Sequence, residues 1–162
     1  MLQFAAMTRA IVPACPPRLA QEFAGPPTCI SLVAGDRLYK LVNIPIDRSA
    51  IMRSPWWIRE REFDRLRQLS FAEGRPLSDV IRERLAVASR WNPGMDGLCI
   101  VHLARAKPAW VGPAKSQPVF KENLVGWGEQ TCVPDLDWRD VAQTRMQVPF
   151  FQSGQYRPHP LP

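Results

Sequence analysis

The spacing of apolar residues changes at residue 98, and this change constrains the fold more than any other feature. Before it, "LSDVIRERLAVASRW" (residues 77–91) repeats apolar side chains at the helical period. After it, short apolar runs separated by glycine and proline continue to residue 151. Such runs are typical of short antiparallel strands. Because helices and strands occupy separate parts of the chain, the sequence predicts an α+β fold.

The predicted elements begin with two β-type runs, Cys29–Val33 and Arg37–Asn43, whose Ala-Gly-Asp separator suits a hairpin or one kinked strand. A first amphipathic helix is predicted from Ser54 as N-cap, with Pro55 at its first position, up to a Gly-Arg-Pro break. Residues 77–91 form the second helix. The strand runs predicted after it are Leu98–Leu103, Ala109–Val111, Pro118–Phe120, Leu124–Trp127, Gln130–Val133 and Met146–Phe151. Two amphipathic helices therefore lie between an N-terminal strand pair and a C-terminal run of short strands, with one Asp-capped helical turn expected in "DLDWRDVAQ".

The length and the prolines predict one domain with extended tails. A chain of 162 residues can bury one core, and two full domains would be crowded. Several of the 17 prolines lie near the two ends, where they favour extended backbone. We therefore divide the chain into a Pro-rich lead (1–27), a single α+β domain (28–151) and a C-terminal tail (152–162).

The charge permits several kinds of partner without choosing among them. A net charge of +6 suits nucleic acid, anionic lipid or an anionic cofactor. The arginines of the predicted helices, however, alternate with Asp and Glu, which is typical of a solvated helix face and does not favour nucleic-acid binding. No run approaches the roughly 20 apolar residues of a membrane span, and the N-terminus lacks the pattern of a secretory signal. A cytoplasmic location, or delivery without a cleavable signal, is expected.

The cysteines and histidines do not predict a metal site. Cys15, Cys29, Cys99 and Cys132 form no C-x-x-C pair, and neither histidine lies at zinc-ligand spacing from them. We interpret the four cysteines as free thiols in a reducing compartment, with a disulfide as the alternative. His102 lies mid-strand in "CIVHLA", where a partly buried structural role is expected.

A polar loop and the tryptophans supply candidate binding residues. In "AWVGPAKSQP" (residues 109–118), Ser116 and Gln117 follow a strand and a Gly-Pro turn, where a loop can bind an anion or simply connect two elements. Six tryptophans are present, and packing is their default role. Trp127 lies between two glycines, where the backbone can approach a ligand closely.

Three features together resemble ADP-ribosyltransferase-type toxin domains: "RLYKLVN" (37–43), the Trp-rich helices, and "GWGEQTCVP" (126–134). The layout is also similar to that of uncharacterised bacterial proteins. In the toxin superfamily an early strand carries an Arg or His that holds NAD, and a late strand carries a catalytic glutamate. The resemblance implies NAD as cofactor, Lys40 as the residue that holds it, and Glu129 as the catalytic carboxylate. Trp57 or Trp127 would stack the nicotinamide.

The chain departs from the toxin pattern at three points. The early residue is lysine, the Ser-Thr-Ser motif is absent, and Trp127 stands two positions before Glu129 where the superfamily often has Glu or Gln. That position usually orients the acceptor, so the resemblance implies NAD binding more strongly than transfer to an acceptor. An ordinary hairpin turn remains the other interpretation of "GWGEQTCVP".

Two non-enzymatic functions remain as alternatives. The first is an accessory or immunity-type protein whose tryptophans and arginines meet a protein partner, since both residue types are enriched at interface hot spots. The second, less favoured, is nucleic-acid binding through the basic residues.

Overall fold

The computed structural model describes residues 14–87, 92–119, 122–124 and 128–147. The helices within these ranges are α1 (Pro17–Ala20), α2 (Arg48–Arg53), α3 (Glu60–Glu73), α4 (Leu77–Arg84) and a 3-10 turn at Trp138–Asp140. The strands are β1 (Thr28–Leu32), β2 (Arg37–Val42), β3 (Trp56–Arg59), β4 (Gly97–Leu103), β5 (Lys107–Pro113), β6 (Gln117–Val119), β7 (Glu122–Leu124), β8 (Glu129–Cys132) and β9 (Val141–Gln147). None of the described helices is long and apolar enough to cross a bilayer.

Seven of these strands form one antiparallel sheet in the order β1-β5-β8-β3-β2-β4-β9. β6 and β7 form a separate antiparallel pair. The two longer helices, α3 and α4, follow each other between β3 and β4. This arrangement confirms the predicted α+β class with an antiparallel sheet.

The large sheet carries a hydrophobic core on each face, because successive strand residues point to opposite sides. In β2, Tyr39 and Leu41 enter one core, which α3 and α4 cover and which we call the helix-side core. Tyr39 stacks there on Phe63 of α3, with ring centroids 4.2 Å apart. Leu38 and Val42 enter the other core, which we call the opposite core.

The predicted hairpin of the first two strands is wrong. β1 pairs with β5, whereas β2 pairs with β3 and β4, and β5, β8 and β3 lie between β1 and β2 in the sheet. The connecting turn forms its hydrogen bonds with the end of β4: Gly35 N donates to Leu103 O at 2.8 Å, and Leu103 N donates to Asp36 O at 2.9 Å. The turn therefore connects β1, at one edge of the sheet, with β2, which lies between β3 and β4.

The predicted start of the first long helix is also wrong. Residues 56–59 form β3, and α3 begins only at Glu60. Trp57 lies in the opposite core and Ile58 in the helix-side core, so this stretch has the period of two that a strand requires. Ser54 is the C-cap of α2, a helix that the sequence did not predict. Asp47 caps the start of α2 by accepting hydrogen bonds from two backbone N–H groups.

The remaining elements largely follow the prediction. α3 ends at Gly74, whose φ of +62° is the left-handed conformation that glycine adopts easily. α4 begins at Leu77 as expected but ends at Arg84, well before residue 91, and Ala86 after it has a positive φ of 52°. The 3-10 turn is capped by Asp137 as expected. β9 begins at Val141, earlier than the predicted run. The described part of the lead touches the sheet through a bridge between Phe23 and Ala114. Residues 1–13 and 152–162 lie outside the described residues, so the proposed domain boundaries remain predictions.

Candidate functional site

The sheet order brings together three strands that the sequence singled out separately. β8, β3 and β2 are consecutive neighbours, so the strand of Glu129 and the strand of Lys40 flank the strand of Trp57. Leu38 lies opposite Arg59, and Trp57 lies opposite Thr131. Residues two apart on a strand share a face. Lys40, Trp57 and Glu129 therefore lie on the same face of the sheet, the face of the opposite core.

Glu129 is held by an arginine of the neighbouring strand. Its Oε1 accepts hydrogen bonds from both Nε (3.0 Å) and Nη2 (2.6 Å) of Arg59. Its Oε2 has a longer contact of 3.4 Å with Nη2 of Arg61, whose side chain is 82% exposed. The Glu129 side chain itself is 24% exposed and lines an open groove of 400 Å³ together with Arg59 and Pro113. Among the described residues, Oε1 thus accepts two hydrogen bonds from Arg59, whereas Oε2 has the longer contact with Arg61.

A second, buried carboxylate fixes the backbone of Glu129. Glu62 on α3 accepts the backbone N–H of Glu129 at 3.1 Å and receives two further hydrogen bonds from Arg65, at 2.9 and 2.6 Å. The absence of a side chain at Gly128 allows the start of β8 to lie close to Leu85 and Glu62, because a Cβ there would lie 2.5 Å from Leu85 Cδ2 and 3.1 Å from Glu62 Oε1. The start of β8 is therefore positioned by α3 as well as by its neighbouring strands.

Lys40 is anchored to the end of α2. Its Nζ donates to the carbonyl oxygens of Ile51 (2.7 Å) and Ser54 (2.6 Å) and lies 4.0 Å from the centroid of the Trp57 ring. Burial lowers the pKa of Lys40 from 10.5 to about 7, because desolvation disfavours the ammonium form. These contacts explain how Lys40 can share a sheet face with Leu38 and Val42. The carbonyl oxygens of Ile51 and Ser54 and the indole ring of Trp57 contact the ammonium group in place of water.

Lys40 and Glu129 line different cavities. Lys40, Trp57 and Gln130 belong to a larger cavity of 680 Å³, whereas Glu129 and Arg59 line the groove. The described residues of the two linings do not overlap, although β3 and β8 contribute to both. The sequence-predicted pair thus shares a sheet face, on two strands separated by β3, without sharing one cleft.

The other predicted binding residues are more dispersed. Ser116 is exposed after β5, and Gln117 begins β6. Among the described residues of this loop, Lys115 lines the larger cavity, and its Nζ donates to Gln21 O at 2.8 Å. Trp127 lies outside the described residues, so its role stays a prediction. Of the described histidines, cysteines and acidic residues, no group of three could hold a metal ion.

Sequence reasoning missed Arg59 and Glu62, the two residues that hold Glu129. The charge pattern places both on a solvated helix face, and the helix predicted from Ser54 includes Arg59. Trp56, Trp57 and Ile58 are all apolar and show no alternation in the sequence, so only the structure shows that they point to alternate faces and that Arg59 lies on the Glu129 face. No pattern in the sequence indicates that Glu62 turns inward.

No protein-family model and no curated protein matches the chain. Among solved structures, a chain from the structure of Tne2 in complex with Tni2 is similar at a TM-score of 0.48 and 14% identity, over 76% of this chain and 92% of that chain. A chain from Rhs1-CT in complex with its cognate immunity protein RhsI1 is similar at a TM-score of 0.48 and 17% identity, over 74% of this chain and 76% of that chain. The functional assignment therefore rests on the residues of this chain.

Proposed function

We propose that the chain is an ADP-ribosyltransferase-like domain that binds NAD and cleaves its nicotinamide–ribose bond at Glu129. The observation that carries this proposal is the setting of Glu129: its carboxylate lies at the start of β8, is held by Arg59 and lines the groove of 400 Å³. Lys40 and Trp57 lie on the same sheet face but line the other cavity, so the proposal does not use the roles that the resemblance implies for them.

The environment of Glu129 suits this chemistry. Loss of nicotinamide builds positive charge on the ribose, and a fixed carboxylate stabilises such a charge as it develops. Two donors of Arg59 engage Oε1, while among the described residues Oε2 has the long contact from Arg61. Oε2 is therefore the atom that we assign to the ribose.

In this proposal Arg61, and not Lys40, holds NAD. The Lys40 ammonium already has two carbonyl acceptors, and the face of Trp57 that it covers is not free to stack a nicotinamide. Arg61 has a guanidinium that is 82% exposed beside Glu129, and a planar fork suits a diphosphate better than an ammonium does. Binding of NAD by Ser116, Gln117 and Trp127 remains a prediction from the sequence.

The deciding experiment combines NAD hydrolysis with thermal unfolding. NAD at 100 times its dissociation constant stabilises a protein that binds it by about 2.7 kcal/mol, which a thermal shift detects. Glu129→Gln keeps an oxygen for Arg59 and should fold, yet hydrolysis should fall about 100-fold or more. Glu60→Gln is the matched control, because Glu60 is 49% exposed and pairs with Arg37. Full hydrolysis by the Glu129→Gln protein, or no thermal response of the wild type to NAD, would overturn the proposal.

A second candidate is a protein-binding role, of the accessory or immunity type. The observation that favours it is that Lys40 and Glu129 both have partners within the chain, as structural residues do. Among the described tryptophans, Trp57 and Trp110 are buried, whereas Trp56 and Trp138 are partly exposed. Phe71 on α3 is 68% exposed and is an aromatic side chain that a partner can contact.

The two candidates differ in their response to NAD. For the binding role we expect one stoichiometric partner in a pull-down, loss of that partner with Phe71→Glu, and no effect of NAD. Retention of the partner by the Phe71→Glu protein would exclude this surface as the contact.

A further inference from the structure

β2 and β3 pair over two residues of each strand and then diverge. Their pairing ends at Tyr39 and Ile58. Each strand continues along its other neighbour, β2 with β4 as far as Val42 and β3 with β8 as far as Trp56. The sheet therefore opens between the second half of β2 and the first half of β3, and we call this gap the strand opening.

The cavity of 680 Å³ lies in the strand opening. Its lining includes consecutive residues at the end of β2, 39–43, and consecutive residues of β3, 56–58. Successive residues of a strand point to opposite faces, so a cavity on one face of an intact sheet would contact every second residue. Contact with consecutive residues places this cavity at the edges of the two strands, where their pairing has ended.

The charged side chains of the lining give no reason for a ligand to be charged. Lys40 donates to two carbonyl oxygens, and Asp47 accepts two backbone N–H groups at the start of α2. Lys115 donates to a backbone oxygen. Glu22, the fourth charged residue of the described lining, is exposed. The cavity therefore suits an uncharged molecule.

Two neutral polar atoms of the lining are buried and have no hydrogen-bond partner among the described residues. One is Nε1 of Trp57, whose side chain is buried with 2% exposure, and the other is Oδ1 of Asn92. The Asn92 Nδ2 donates to Leu41 O at 3.1 Å, and since a carbonyl oxygen only accepts, this bond fixes which end of the amide carries Oδ1. Buried polar atoms are normally paired. The lining thus offers one donor and one acceptor to a ligand.

Most of the other described lining residues are apolar. Trp56 is partly exposed there, Ile81 belongs to α4, and Leu85 follows that helix. Small-molecule sites have volumes of about 300–1,000 Å³ and combine an apolar lining with a few polar groups. Aromatic rings pack well in such surroundings, in edge or offset contact with other rings. An aromatic body therefore fits this lining.

We propose that the strand opening binds a small, uncharged aromatic molecule that bears a hydroxyl group. A hydroxyl both accepts and donates a hydrogen bond, so it complements an indole N–H and an amide oxygen. Nε1 of Trp57 and Oδ1 of Asn92 are the atoms that we assign to it. The described linings of the strand opening and of the Glu129 groove share no residue, so this site does not depend on the NAD assignment.

The test compares three probes with the same ring system: 2-naphthol, naphthalene and 2-naphthalenesulfonate. Binding to the full chain is measured by equilibrium dialysis at neutral pH, where 2-naphthol is uncharged because phenols ionise at about pH 10. We expect 2-naphthol to bind about 2- to 12-fold more tightly than naphthalene, which corresponds to one hydrogen bond. The sulfonate should bind more weakly than 2-naphthol.

Two variants test the assigned atoms. Trp57→Phe keeps an aromatic ring and removes the N–H, and Asn92→Ala removes the amide oxygen. The preference for 2-naphthol over naphthalene should disappear in both, whereas a general disturbance of the cavity would weaken both probes equally. Loss of the preference in one variant alone supports the site and assigns the hydroxyl to that atom. Trp110→Phe is the matched control and should keep both affinities, because Trp110 is 8% exposed and lies outside the described lining.

Three results would each overturn the proposal. They are equal binding of 2-naphthol and naphthalene by the wild type, tighter binding of the sulfonate, and an unchanged preference in both Trp57→Phe and Asn92→Ala. Glu129→Gln should bind 2-naphthol as the wild type does. Because the dialysis contains no NAD, failure of this site and failure of NAD hydrolysis are distinguishable.

Discussion

Arg59 and Glu129 form an ion pair across β3 and β8 in which both Nε and Nη2 of the arginine donate to the same oxygen, at 3.0 and 2.6 Å. The side chains are 25% and 24% exposed, so water competes only partly for these groups. Arg59 is also the residue immediately before α3. The pair therefore links the end of β3, the start of β8 and the start of the first long helix.

Removal of Arg59 should destabilise the protein. In Arg59→Ala, the contact left to the Glu129 carboxylate among the described residues is the 3.4 Å one with Arg61. We expect a loss of about 1–3 kcal/mol in the free energy of unfolding, because a largely buried charged acceptor loses its donors. Urea denaturation measures this loss. Arg61→Ala is the control and should change stability by less than about 0.5 kcal/mol, since that side chain is 82% exposed. Equal losses in the two variants would contradict this account.

Glu62→Gln should destabilise the protein less than Glu62→Ala. Glu62→Ala removes the acceptor for the N–H of Glu129 and the partner of Arg65. We expect about 2–4 kcal/mol of destabilisation, because buried groups are left without partners. Glu62→Gln keeps one acceptor oxygen and should lose about half as much. Hydrogen exchange at the Glu129 amide distinguishes loss of the acceptor for this amide from loss of the partner of Arg65. Exchange should accelerate in the alanine variant and stay slow in the glutamine variant.

A side chain at Gly128 should not fit. In Gly128→Ala the Cβ would lie 2.5 Å from Leu85 Cδ2, 3.0 Å from Arg84 O and 3.1 Å from Glu62 Oε1. We expect a loss of about 1–3 kcal/mol, as for other overpacked sites, measured by chemical denaturation. Gly25→Ala is the control, because its Cβ would meet Pro113 at an ordinary 3.6 Å. If both variants unfold alike, the contact of Gly128 with the end of α4 and with Glu62 of α3 is looser than described.

Lys40 should make stability depend on pH in the alkaline range. Burial lowers its pKa in the folded protein to about 7, against 10.5 in the unfolded chain. Between these values the unfolded chain holds a proton that the folded protein has released, so stability rises with pH. The slope from this group is at most about 1.4 kcal/mol per pH unit and vanishes below pH 7.

The Lys40 contribution is isolated by comparing variants. Denaturation from pH 6 to 9 should give a steeper rise for the wild type than for Lys40→Met. Met fills similar volume but leaves the carbonyls of Ile51 and Ser54 without a donor, so it should lower stability at every pH while flattening the slope. Parallel slopes would mean that the two carbonyls and Trp57 keep the ammonium protonated throughout.

The elements that could be predicted from sequence are those whose pattern repeats locally. α4 was predicted because Leu77, Val80 and Ile81 follow the helical period and all three are buried. β4 was predicted because its residues form one apolar run, and both faces of that run are covered. Local spacing decides such elements, so no knowledge of the rest of the chain is needed.

The first long helix shows where local patterns failed. Ser54 and Pro55 have the residue types of a helix start, and propensity favoured a helix from there. Pairing with β2 and β8 instead makes residues 56–59 a strand, because Trp57 and Ile58 then reach different cores. Contacts with residues far along the chain outweighed the local preference.

The sequence by itself determined the α+β class, the start of the second helix, most strand positions and the choice of Glu129 as a candidate residue. Only the tertiary structure decided the sheet order, and with it that Arg59 reaches Glu129 and that Glu62 turns inward. The physical reason is that each of these contacts joins segments whose separation in sequence carries no periodic signal. Local spacing fixes the direction of a side chain, whereas strand pairing fixes what that side chain meets.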